Sequence, residues 1–205
     1  MRRFLILAIA ALPLVARAAT AQPVLTAGVY LLDSARSSLH WKVSNPGLSN
    51  YTARFTRLEA TLDIDPAKLQ EAKLAVIVDP TSLRTDFPFA ESFDKELIED
   101  AAFFNSAKFP KINFASTKIE QTSETTFKVT GDLTLVGVTK PLTIDVTLTA
   151  PKEQPGNSKS ALAFSATSTL KRSGFGIVTR IFVSDDVLLV IEGALTSSST
   201  GRWPR

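Results

Sequence analysis

Residues 131–150 read GDLTLVGVTKPLTIDVTLTA, and apolar side chains alternate with polar ones almost without a break. Successive side chains of an extended strand point to opposite faces, so a period of two gives a strand one oily side and one wet side. On this spacing Leu133 and Leu135 share a face in one strand, and Leu142, Ile144, Val146 and Leu148 share a face in the next. The turn signal VGVTKP between them predicts a hairpin whose strands meet near Val138 to Lys140. No side chain in the stretch looks like a catalyst.

The same period recurs in both directions along the chain. SSLHWKVS sets Leu39, Trp41 and Val43 against Ser38, His40 and Lys42, and LEATLDID sets Leu58, Ala60, Leu62 and Ile64 against Glu59, Thr61 and Asp63. With KLAVIVD, KINFASTKIE, TTFKVTGDLTLVG, PLTIDVTLT, ALAFSATSTLK and DDVLLVIEGALTS, the pattern predicts about eight or nine strands. One-sided strands must have their apolar faces covered, either by a second sheet or by closure of the sheet on itself. Turn signals at NPGLSN and KEQPGNSK suit hairpins rather than parallel crossovers. The exception is DFPFAESFDKELIEDAAFFNSAKFP, where Phe89, Phe93 and Leu97 recur at four-residue spacing and predict one or two short helices across Glu91 to Asn105. The fold class is therefore all-β, with a minor helical insertion.

Composition sets further bounds. With 44% hydrophobic and 21% charged residues, the 205-residue chain can bury a core, and its length fits one domain. Met1-Arg2-Arg3 precedes an apolar run from Phe4 to Val15, too short to span a bilayer, and small residues follow at Ala16 to Ala21. We expect residues 1–21 to be a signal peptide, 22–198 one domain, and 199–205 a loose tail, with a periplasmic destination. The leader holds Arg2, Arg3 and Arg17 and no acid, so its removal takes 23 bases to 20 against 20 acids. A neutral mature chain has no electrostatic footprint for nucleic acid or for an anionic membrane surface, and no integral membrane segment is expected in it.

Reactive chemistry is sparse. There is no Cys, and the sole Met is Met1, so the expected mature chain has no disulfide, thiolate ligand or thiol nucleophile. The single imidazole, His40, falls on the wet face of its strand. Asp63, Asp65, Asp185 and Asp186 occupy turn-like positions, and Glu192 shares a face with Leu188 and Val190, at a wet strand end or at a polar point of a lined cavity. No metal-ligand cluster or phosphate-cradling Gly-rich loop appears, and neither a cofactor nor an enzymatic activity is expected.

Thirteen Phe residues remain to be placed. Phe55, Phe103, Phe104, Phe114, Phe164 and Phe175 are either simple core or part of a lining around an apolar guest, since a closed barrel of about eight strands can hold one. Trp41, Phe114, Leu133, Leu135, Ile144 and Phe164 are the side chains the period turns inward. In ALAFSATSTLKRSGFG the inward series Leu162 to Leu170 runs into Arg172, a candidate for a headgroup contact at the barrel mouth.

The order and spacing of GVYLLDSARSSLHWKV, PGLSNYTARFTRLEATLDID, FDKELIEDAAFFNSAKFPKINFAST, VTGDLTLVGVTKPLTIDV, FSATSTLKRSGFGI and VSDDVLLVIEGAL resemble the YceI-like family of exported proteins across nearly the whole mature region. The resemblance implies an elongated antiparallel lipocalin-like barrel with short helices, a polyisoprenoid or isoprenoid quinone ligand inside, and a homodimer. The chain departs from the family pattern at Arg36, Asn45 and Val136, where His is usual, and at Gly174, where Asp is usual. The expected function is carriage, storage or sequestration of a long apolar lipid. The alternatives are an enzyme acting on such a lipid and a barrel with a filled core serving as an interaction or stress protein.

Overall fold

The structure is a computed structural model in which residues 25–44, 50–85, 89–149, 161–177 and 183–198 are described. The expected leader at 1–21, the expected tail at 199–205 and Asn45 lie outside them.

Eleven strand segments form one antiparallel sheet: β1 (Gly28–Leu32), β2 (Ser38–Val43), β3 (Tyr51–Phe55), β4 (Leu58–Ile64), β5 (Lys73–Val78), β6 (Leu83–Thr85), β7 (Ile112–Gln121), β8 (Thr126–Leu135), β9 (Val138–Thr149), β10 (Ala161–Lys171) and β11 (Asp186–Ser197). Eight of them close a ring in the order β1, β4, β5, β7, β8, β9, β10, β11, and pairing of Tyr30 with Ser197 and of Leu32 with Leu195 shuts it. The barrel expected from the one-sided strands is thus formed. Closure removes the free edges that a sheet of this length would otherwise expose.

The three remaining segments lengthen the ring at one end. β2 continues β1 along β11, β3 precedes β4, and β6 follows β5, so three long staves are each broken once. Asp33 makes the first break, its side chain accepting from Ala35 N at 3.1 Å while its carbonyl accepts from Ser37 Oγ at 2.7 Å. The other two breaks are tied together by Ser82, fully buried, whose Oγ accepts from Thr56 N and Arg57 N and donates to the Asp79 carbonyl. Short pieces of this kind, such as YTARF, carry too few alternations to be read as strands from sequence.

β8 and β9 meet in a two-residue turn at Val136 and Gly137, with φ of 50° and 74°. Positive φ at both central residues matches the twist of the paired strands, although it is unusual for a β-branched residue. The turn therefore falls earlier than the expected Val138 to Lys140, which belong to β9. In β7 the register shifts between Ser116 and Lys118, a bulge that moves the inward series from Ile112 and Phe114 to Ile119. Gly131 faces this bulge because a Cβ there would lie 2.4 Å from the Ala115 carbonyl oxygen.

Among the described residues one α-helix, α1 (Ala90–Glu99), docks on β6, and the chain then proceeds through turns as far as Lys108. Leu97 is buried and Phe93 partly so, but Phe89 is 86% exposed in a left-handed conformation at the helix start. The four-residue spacing thus overstated the apolar face of α1 by one turn. At the other end of the barrel Tyr30, 1% exposed, packs with Ile64, Leu162 and Leu195 as a plug, its hydroxyl donating to the Thr26 carbonyl at 2.9 Å.

Candidate functional site

The inward faces of the staves do not meet at the barrel axis. They leave an upper cavity of about 180 Å³ and a lower one of about 120 Å³. Leu39, Val76, Ile144 and Ile191, from β2, β5, β9 and β11, line both and form a waist between them. The lower chamber ends on Ile64, Leu162 and Leu195 of the plug. The two apolar chambers therefore lie end to end along the barrel, the lower one toward Tyr30.

Period two selects most of its wall. Trp41, Phe55, Phe114, Leu133 and Leu135 line the upper chamber, Ile144 lies at the waist, and Phe164 lines the lower chamber. Phe175 is buried in the surrounding core and is not among the lining side chains. His40 lies beside Trp41 on the opposite face of β2, and Glu192 is exposed on the outside of β11 with Leu188. Phe103 and Phe104, which the sequence leaves as core or guest lining, line the upper chamber, and so does Leu97 of the predicted helical stretch. Their role depends on how the insertion folds over the end of the barrel. Edge-to-face stacking of Phe104 on Phe55 at 5.5 Å, and of Phe93 on Tyr51 at 5.9 Å, holds it there.

Among the described lining residues, Arg172 alone carries a charge. It sits in a short 3-10 turn (Arg172–Phe175) after β10 and is only 9% exposed. Its Nη2 donates to the Val183 carbonyl at 3.1 Å. Desolvation draws its pKa below the usual guanidinium value, an effect the nearby Asp185 opposes. Asp185 is itself engaged, accepting from Ser173 N at 2.8 Å and from Ser173 Oγ at 2.7 Å. Arg172 Nε and Trp41 Nε1, buried atoms of two residues that line the upper chamber, have no hydrogen-bond partner.

Of the four residues at which the chain departs from the family pattern, Arg36, Val136 and Gly174 are among those described. Arg36 donates through Nε to Asp33 Oδ2 at 2.7 Å on the surface, and Val136 occupies the β8–β9 turn. A Cβ on Gly174 would lie 3.1 Å from Lys140 Nζ. Among the described residues no group of three His, Cys, Asp or Glu is placed to hold a metal ion, and no helix is long and apolar enough to cross a membrane.

A closed, elongated, lipocalin-like antiparallel barrel with an apolar interior is the class that fold and site define. A family model described as the YceI-like domain matches residues 30–195, and the chain belongs to that family. Among its relatives, a UPF0312 protein of Pseudomonas putida strain W619 is 38% identical over 137 residues, covering 67% of this chain and 69% of the relative. A UPF0312 protein of Vibrio parahaemolyticus is 36% identical over 169 residues, 82% of each chain. The YceI protein of Campylobacter jejuni, a crystal structure, superposes with a TM-score of 0.65 at 30% identity over 77% of this chain and 91% of its own. A polyisoprenoid binding domain from Saccharophagus degradans shares the fold at a TM-score of 0.59 and 12% identity, over 84% of this chain and all of its own.

Proposed function

We propose that the barrel binds one long, slender apolar lipid, a polyisoprenoid or an isoprenoid quinone, and carries, stores or sequesters it. The observation that carries this reading is the pair of apolar chambers that share Leu39, Val76, Ile144 and Ile191 as lining. Mutationally created cavities cost about 24 cal/mol per Å³, so a vacant 180 Å³ chamber would forgo about 4 kcal/mol, a large share of a typical domain's stability. Water does not recover that loss, because an apolar-lined cavity offers it too few partners. A hydrocarbon chain does, at roughly 25 cal/mol for each Å² of apolar surface it removes from water. The polyisoprenoid binding domain with the same fold is in keeping with such a guest.

A lining of Leu, Val, Ile and Phe favours binding over catalysis, since it holds a guest without supplying acid, base or nucleophile. The proposal extends to a periplasmic protein released from its leader and paired as a homodimer. Extraction of the protein, purified from its native host without detergent, should yield a stoichiometric apolar compound by mass spectrometry. Repeated recovery of stable protein with no such compound would overturn the carrier reading. The mature N-terminus and the mass in solution test the leader and the dimer.

A further inference from the structure

Across the ladders of the barrel's outer wall, cations face acids. Lys73 is paired with Asp63, Lys128 with Asp145 and Lys171 with Asp186, and opposite charges so placed support one another. One row breaks the rule. On the outer face of β2, β3 and β6, His40 is paired with Arg54 and Arg54 with Arg84, and Lys42 follows His40 on the same face of β2. Arg54 and Arg84 are exposed, and no ion pair among the described residues includes any of the four. The net charge of zero expected for the mature chain hides this placement, since a sum is blind to where its terms lie.

Resting on the carrier reading for the identity of the partner, we infer that this row docks the protein peripherally on an anionic phospholipid bilayer. Like charges directly opposite in a ladder are destabilising, so a face that sets Arg54 against Arg84 is one that an external anion relieves. Glu91 and Glu99 share a surface groove with Arg84, but neither forms an ion pair with it, and Lys95 in the same groove adds a further cation. Two of the three exposed large hydrophobic side chains among the described residues accompany the row. Leu188 is paired with Lys42, and Phe89 starts the helix that docks on β6. Apolar tips beside cations suit the boundary of a bilayer, where acyl chains lie beneath a layer of phosphates, better than they suit a uniformly polar acidic partner. The inward faces of β2 and β3 supply Trp41 and Phe55 to the upper chamber, so the row lies on the reverse of that chamber's wall. A guest insoluble in water has to pass between bilayer and barrel, and docking here brings the upper chamber to the membrane.

The test is cosedimentation of the protein, purified from its native host, with vesicles of phosphatidylcholine alone and of phosphatidylcholine mixed with phosphatidylglycerol, no isoprenoid being present. The wild type should bind the mixed vesicles about tenfold more tightly than the neutral ones, and added salt should erase the difference by screening. Arg54→Gln combined with Arg84→Gln should lose about tenfold on the mixed vesicles, and Leu188→Ser should weaken binding by less. Lys118→Gln combined with Lys128→Gln removes the same charge from cations already paired with Glu120 and Asp145, and should bind as the wild type does. Thermal unfolding of each variant reports that the barrel is intact. Equal binding to the two kinds of vesicle, or equal losses in the two double variants, would overturn the docking inference. Retention on polyglutamate with no binding to either vesicle would assign the row to an acidic protein and overturn it as well. The carrier reading stands or falls separately, on the compound extracted from the barrel.

Discussion

Asp94 of α1 accepts two hydrogen bonds from a single residue of β6, from the Thr85 backbone N at 3.0 Å and from the Thr85 hydroxyl. β6 pairs with β3 and is the terminal segment of the sheet, so its outer edge has no strand neighbour among the described residues. A carboxylate bound to that edge does what another strand would do. It also holds the insertion that carries Leu97, Phe103 and Phe104 into the upper chamber. Asp94→Ala should lower unfolding free energy by about 1–3 kcal/mol, the usual result of leaving buried donors unmet. Chemical denaturation of both proteins checks this, and an unchanged midpoint would mean the insertion is held by aromatic stacking alone.

The bulge in β7 makes a second position decisive. A Cβ at residue 131 would meet backbone at 2.4 Å and 2.8 Å, at the Ala115 oxygen and the Ser116 Cα, and neither can swing away as a side-chain tip could. Gly131→Ala should destabilise the barrel by about 1–3 kcal/mol through forced backbone shifts. Thermal unfolding followed by circular dichroism gives the comparison; a gain in stability, as expected for Ala at an unconstrained strand position, would show that the bulge relaxes freely.

Leu135 and Thr134 are neighbours on opposite faces of β8. Leu135 lines the upper chamber, whereas Thr134 lies outside, its hydroxyl 2.8 Å from that of Thr139 on β9. Leu135→Asp should cost several kcal/mol, because an unpaired carboxylate would enter an apolar space, and Thr134→Asp should cost well under about 1 kcal/mol. Equal losses in denaturant titrations of the two variants would contradict the assigned facing.

Acid should loosen the paired kinks. Burial alone would raise the pKa of Asp79, but Thr81, donating through its hydroxyl and its backbone N, and Arg57 outweigh it and hold the carboxyl below its ordinary value of 3.8. A folded pKa below the unfolded one contributes stability that is fully present above the unfolded value and lost as pH falls through the folded one. Asp79→Asn should therefore flatten part of the decline in melting temperature below pH 3.8. Asp33 and Asp185, also depressed, titrate in the same direction, so some decline remains. A variant whose acid limb superposes on the wild type would show that Asp79 titrates normally.

Period-two alternation acts over a few residues, so facing along the long strands was legible in the sequence. The wall from Leu133 to Leu148, the wet side of β2 and the inward series of β10 through Arg172 all follow from it. Where facing changes within a strand, the signal is present but easily passed over. The apolar side chains of β7 fall at 112, 114 and 119, and the odd interval marks the bulge at Thr117. Phe89 misled because helical spacing also extends past the residue at which a helix starts.

The remaining features depend on contacts between residues far apart in the chain, which no local pattern encodes. The sequence by itself determined that the chain is built of one-sided strands with an apolar face to hide and almost no reactive group to use. Tertiary structure alone decided that β1 closes on β11, that Tyr30 plugs one end, and that the insertion covers the other. It also decided that Trp41 and Arg172 open into a single chamber, because their placement follows from the pairing of β2 and β10 on either side of β11. Ladder register is a long-range choice, settled by the joint burial of all the inward faces, and only the closed ring expresses it.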